Sequence, residues 1–226
     1  MVVVRSPSLK PVHLISDELL AAYANGLLSE PLSLLVATHL ALCPEAQRRC
    51  GEFEALAGVM LDAIEAEPVS EGLRTAMLQR LNGIEAPAMA RRPAKADRPR
   101  TVPGPLAAYI GDDYEALPWR TFGAVSEIKL LPNVEGYVTR LLKIRPGAVI
   151  PDHTHEGLEA TLVLRGAFKD VTGTYGPGDV ALHQGDAVDH SPVAASGEPC
   201  ICLAVTDAPL RFTGTIGRFL NPFMRM

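Results

Sequence analysis

The stretch APAMARRPAKADRPRTVPGP, residues 86–105, carries five prolines, five basic side chains and almost no bulky apolar residue. Proline fixes its own φ, lacks a backbone donor and drives the residue before it toward extended conformations. A segment of this composition buries too little apolar surface to offset the entropy of ordering it. It is expected to be an extended linker between two domains, residues 1–85 and 106–226. The chain's 226 residues, with an apolar share of 47%, suffice for a packed core in each.

The first half reads as helical. Ser16 caps a first helix that has Asp17 and Glu18 in its opening turn and stops at Asn25-Gly26. Ser29 caps a second, with Pro31 tolerated near its start and apolar residues through Leu42. Pro44 opens a third, from about Glu45 to Ala66, and Ser70-Glu71 open a fourth that ends at Asn82-Gly83. On this fourth helix Leu73, Met77 and Leu81 fall at four-residue spacing, giving it one apolar stripe to bury. The expectation is a four-helix module.

Its charge narrows the partners. Residues 13–85 hold 11 acidic side chains against 4 arginines, a net of −7. Nucleic-acid binding draws on basic side chains that displace counterions, so this charge argues against a direct nucleic-acid role; it suits a basic protein partner, or else serves only to keep the module soluble. The opening MVVVRSPSLK turns basic and Pro-containing without an apolar core of signal-peptide length. The most apolar later run, Leu32 to Cys43, is interrupted by Ser33, Thr38 and His39 and is shorter than a membrane span of about 20 residues. Only four cysteines occur, Cys43, Cys50, Cys200 and Cys202. A soluble, cytoplasmic chain with reduced thiols is expected, with no membrane partner.

Beyond residue 105 the period changes. RLLKIRPGAVIP, EATLVLRG, GDVAL and CICLAVT are short β-rich segments punctuated by Gly, Pro and Asp. Many short strands of this kind make a sandwich or barrel. Between two of them lies His153-Thr-His155-Glu-Gly-Leu-Glu159. In an extended chain residues i and i+2 point the same way, so both imidazoles face one side, and Glu159 can reach the same point across the turn. Two nitrogens and a carboxylate oxygen converging outline a first-row transition-metal site. Cys200 and Cys202 share one strand face; they read either as small barrel-wall residues or as a redox-responsive pair. A direct bridge between them is strained, since their Cα atoms lie about 6.6 Å apart along one strand.

Gly147, His153-x-His155, Glu159 and Gly166, with the intervals between them, resemble the first cupin motif. Gly178-Asp179 and then Gly185-Asp186-Ala187-Val188-Asp189-His190 resemble the second. The resemblance implies an antiparallel jelly-roll β-barrel binding zinc or another divalent transition metal through His153, His155, Glu159 and His190. His183 competes for the last place; it fits a strand-end surface histidine, and His190 is preferred. In the first half, His13, His39 and Cys43, within DELLAAYANGLLSEPLSLLVATHLALC, resemble the ligand set and first two helices of the zinc-binding anti-sigma domain. That implies a second zinc, although the family's next cysteine falls at position 46, where this chain has Ala46, and Cys50 lies seven residues beyond Cys43.

Helical module, linker and cupin together resemble the ChrR family of anti-sigma factors, as does the tail CICLAVTDAPLRF. The resemblance implies a non-enzymatic regulator, without catalytic residues. Its module would clamp an extracytoplasmic-function-type sigma factor, and its cupin would sense singlet oxygen or a related oxidative stress. Two rivals stand beside this reading. One is a cupin dioxygenase or isomerase with a helical interaction arm, using the same three-His, one-Glu set for oxygen chemistry. The other is a passive metal-storage or structural protein. Neither explains an acidic helical module on a linker.

Overall fold

The computed structural model describes residues 10–83, 101–154, 157–185, 191–208 and 211–212. The expected helices form close to the expected bounds: α1 (Asp17–Ala24), α2 (Glu30–Leu42), α3 (Pro44–Asp62) and α4 (Glu71–Asn82). Ser16 and Ser70 cap α1 and α4, each hydroxyl accepting from a backbone N–H three residues on, that of Leu19 and that of Leu73. Ser29 stands at the N-cap of α2 without a side-chain cap bond.

A fifth helix, α5 (Gly104–Ile110), was not expected, so the described residues hold five helices rather than four. Three alanine or leucine positions after two prolines supply its propensity. It begins inside the expected linker, whose residues 86–100 lie outside the described set. Val102, just ahead of it, is only 1% exposed.

The strands after it are all antiparallel. They are β1 (Arg120–Phe122), β2 (Val125–Val134), β3 (Tyr137–Ile144), β4 (His153–Thr154), β5 (Leu158–Arg165), β6 (Phe168–Lys169), β7 (Thr174–Tyr175), β8 (Val180–Gln184), β9 (Val193–Ala194), β10 (Cys200–Thr206) and β11 (Arg211–Phe212). They make a six-stranded sheet β1-β2-β3-β10-β5-β8, a three-stranded sheet β7-β6-β9 and the pair β11-β4. This is a cupin-like arrangement of sheets, but the described residues do not close it into the expected barrel. Gly166 ends β5 at φ +69°, where an added Cβ would meet the Pro199 carbonyl oxygen at 2.6 Å, so only glycine fits this turn.

Strand β10 shows how the layers are stacked. All seven of its residues are buried. Ile201, Leu203 and Val205 join a core with Leu141, Leu162, Ile15 just ahead of α1, and the helical residues Leu20, Leu35 and Val36. Cys200 and Cys202, on the other face, pack with Val163, Phe168, Tyr175 and Ala194 toward the small sheet. One face of the large sheet is therefore seated on the helices, the other on the second sheet. Helix α2 lies across β10, β2, β3 and β5, so the helical half and the cupin share one core. Its sequence is apolar nearly all round, and a helix of that kind is one covered on several sides.

Among the described residues no helix is long and apolar enough to cross a membrane. The second half of α3 and all of α4 lie apart from the core: Leu56, Val59, Met60, Leu73, Met77, Leu78 and Leu81 are exposed.

Candidate metal centre

The cupin face opposite the helices gathers polar side chains. On β5, Ala160 and Leu162 point to the helical core and Val163 to the small sheet. By alternation Glu159 and Thr161 look into the cupin interior. Glu159 stands opposite His183 of β8 on one side and Thr206 of β10 on the other, and its Oε1 accepts from the Thr161 hydroxyl at 3.3 Å. His153, on β4, is buried, and its Nδ1 lies 2.8 Å from the Pro151 carbonyl. A carbonyl only accepts, so Nδ1 carries the hydrogen of this bond. That is the arrangement of a metal-binding histidine oriented by an outer partner. His155 and His190, the other expected ligands, lie outside the described residues.

His183 corrects one expectation. It is not a surface histidine: at 8% exposure it is buried, because its position on β8 faces inward beside Glu159. Its Nε2 stands 3.9 Å from the Asp170 carboxylate, whose side chain is wholly covered. The Cys200 and Cys202 sulfurs lie 3.5 Å apart, both buried. Their mutual hydrogen bond, then burial and the charge of Glu159, push the Cys202 thiol well above its ordinary range, so it stays protonated.

The expected N-terminal ligands are placed differently. The His13 ring packs at a tilt of 38° against Tyr175, centroids 4.4 Å apart. His39 is fully buried on α2, and its Nδ1 donates to the Gly178 carbonyl of the cupin at 2.9 Å. Its Nε2 is buried with no hydrogen-bond partner among the described residues, a bare lone pair of the kind a metal takes. Burial holds its pKa below the ordinary imidazole value, against opposing contributions from Gly178 and Asp179. Cys43, four residues on, is buried at the N-cap of α3, and Ala46 is buried in that helix's first turn. Cys50 is buried further along α3, its thiol raised by burial and by Glu54. The donors His39 and Cys43 suit zinc, but no group of three His, Cys, Asp or Glu side chains is gathered for a metal anywhere among the described residues.

Sequence reasoning read Gly178-Asp179 only as part of a cupin motif. The structure gives it a second task, as the contact for residues 11–13 and His39.

Residues 109–209 match the family model described as the ChrR cupin-like domain. Across 215 residues the chain is 46% identical to the anti-sigma-E factor ChrR of Cereibacter sphaeroides, covering 95% of this chain and 98% of that protein. The chain belongs to the ChrR family of anti-sigma factors. Among solved structures it is similar to a chain of the crystal structure of Rhodobacter sphaeroides SigE in complex with the anti-sigma ChrR. There the TM-score is 0.71 at 42% identity, over 86% of this chain and 98% of that one. ChrR membership thus extends over both halves, helical and cupin.

Proposed function

We propose that the chain is an anti-sigma factor that sequesters an extracytoplasmic-function-type sigma factor and so regulates transcription. The observation that carries this is the apolar surface of α3 and α4. Leu73, Met77 and Leu81, the stripe expected to be buried, are 53%, 58% and 64% exposed. Apolar rows of this kind on an acidic module mark a protein-binding face. The likeness to a protein solved in complex with its sigma factor supplies the occupant. Acting on a sigma factor, the chain would work in the cytoplasm.

In this reading residues 1–85 are the inhibitory module, 86–105 the tether and 106–226 a sensing cupin, closed as a jelly roll. His153, His155, Glu159 and His190 would hold zinc or another divalent transition metal, which would supply the reactive centre for an oxidative, singlet-oxygen-like signal. The inward Glu159 and the orientation of His153 support this donor set. His13, His39 and Cys43 would serve a second zinc, supported by the bare His39 Nε2. Cys200 and Cys202, buried on the interior face of β10, are the thiols that an oxidant entering the cupin would meet. A dioxygenase or isomerase reading is not favoured in a family of regulators.

Titration of an extracytoplasmic-function sigma factor against the full chain tests the binding face. The wild type should form a stable complex, and a variant with Leu73, Met77 and Leu81 all changed to Glu should lose it while keeping its melting temperature. Undiminished binding by the folded variant would remove α4 from the interface.

A further inference from the structure

Strand β8 is an edge of the large sheet, and the N-terminal segment takes hold of it. The Asp179 Oδ1 accepts from the backbone N–H groups of Val12 and His13, at 2.6 and 2.8 Å, while its Oδ2 accepts from Gly176 N–H at 2.8 Å. Val180 N–H donates to the His13 carbonyl at 2.9 Å. The Gly178 carbonyl accepts from His39 of α2. At Gly178, φ is +91° and a Cβ would come within 2.6 Å of the Pro11 ring, so glycine is needed both for the turn and for the close approach. Two stretches distant in sequence, 11–13 and the end of α2, are thus held by one four-residue turn, 176–179.

The other end of the same five-residue strand carries His183, opposite Glu159 in the cupin interior. A second route joins the same two places. His183 Nε2 faces Asp170 at 3.9 Å. The Asp170 Oδ1 accepts from the Thr172 hydroxyl at 2.6 Å, and that hydroxyl meets the Tyr175 hydroxyl at 2.8 Å. The Tyr175 ring carries the His13 ring. Gly173 leaves room for that imidazole, since a Cβ there would stand 3.2 Å from it.

We propose that β8 and the 176–179 turn are a latch coupling the cupin interior at Glu159 and His183 to residues 11–13 and His39 of the helical half. A displacement of β8 in the interior moves the anchor of the N-terminal segment, because the backbone and the Asp170–Thr172–Tyr175 contacts both end on His13. The inference rests on the sensing role proposed for the cupin. Its test uses the free full chain, so it succeeds or fails apart from sigma binding.

Amide hydrogen exchange, resolved by residue, is measured on the wild type, Asp179→Ala and His183→Ala. Asp179→Ala should speed exchange at Val12 and His13 by about tenfold or more, the effect of losing bonds to a charged acceptor, while amides of β3 and β10 keep their rates. His183→Ala should speed the same two amides several-fold from the far end of the strand. Unchanged rates at Val12 and His13 in Asp179→Ala overturn the latch. Acceleration by Asp179→Ala without any by His183→Ala overturns the coupling. Should Asp179→Ala also release β10, Asp179→Leu, which fills similar space without offering an acceptor, is read by the same criteria.

Discussion

His39 is buried without charge, and that sets a pH dependence. Burial lowers its pKa from 6.5 in the folded, metal-free chain. Above that value folded and unfolded forms are both neutral; below it the unfolded chain takes up the proton first. Stability should therefore be complete above about pH 6.5 and fall as the pH drops toward the folded-state pKa, by at most about 1.4 kcal/mol per pH unit from this residue. Denaturant unfolding at pH 7.5, 6.5 and 5.5 reads the slope, and His39→Gln should remove this residue's share. Ala46 is buried in the first turn of α3, just after Cys43, where it offers no ligand. Position 46 is one helical turn from Cys43, so Ala46→Cys should keep zinc bound against a chelator that strips the natural chain. Equal losses from both chains would show that position 46 faces away from the metal. In the cupin, the double change His153→Ala and His155→Ala should lower the metal content of purified protein by one equivalent; full occupancy would refute these ligands.

Among the elements, α2 bears most of the connection between helices and sheet. Leu35 is wholly buried in the core it shares with Leu162 and Leu203. Truncating a leucine so placed leaves a cavity, so Leu35→Ala should cost about 2–5 kcal/mol in unfolding experiments. The change should also loosen helix and sheet together. The outline of α2 was legible in the sequence from Ser29 and Pro31 at its start and Cys43-Pro44 at its end, but its neighbours were not. Ser, Thr and His within an apolar helix look like a weak face, whereas Thr38 returns its hydroxyl to the Leu34 carbonyl and His39 reaches the cupin. The strands β3, β5, β8 and β10 were legible because their β-branched runs end in Gly, Pro or Asp. The inward position of His183 was not, since at a strand end only the cross-strand register with Glu159 decides which side faces in. Helix α5 was hidden by the prolines before it, which read as linker until Leu106 and Val102 are seen to be buried.

For the molecule as a whole, the helices on the cupin sheet and the bare faces of α3 and α4 divide the labour. One side of the helical half is committed to the cupin, and the other is left for a partner. The acidic module, net −7 over residues 13–85, speeds encounter with a basic surface and makes that encounter sensitive to salt. The decisive measurement is transcription in vitro by RNA polymerase carrying an extracytoplasmic-function sigma factor from the same cells, with the full chain added in steps. Inhibition that is complete near one chain per sigma factor, at a promoter of that sigma factor and not at one read by the housekeeping sigma factor, is the result this account predicts. A folded, metal-loaded chain that leaves that transcription unchanged at several-fold excess would contradict it.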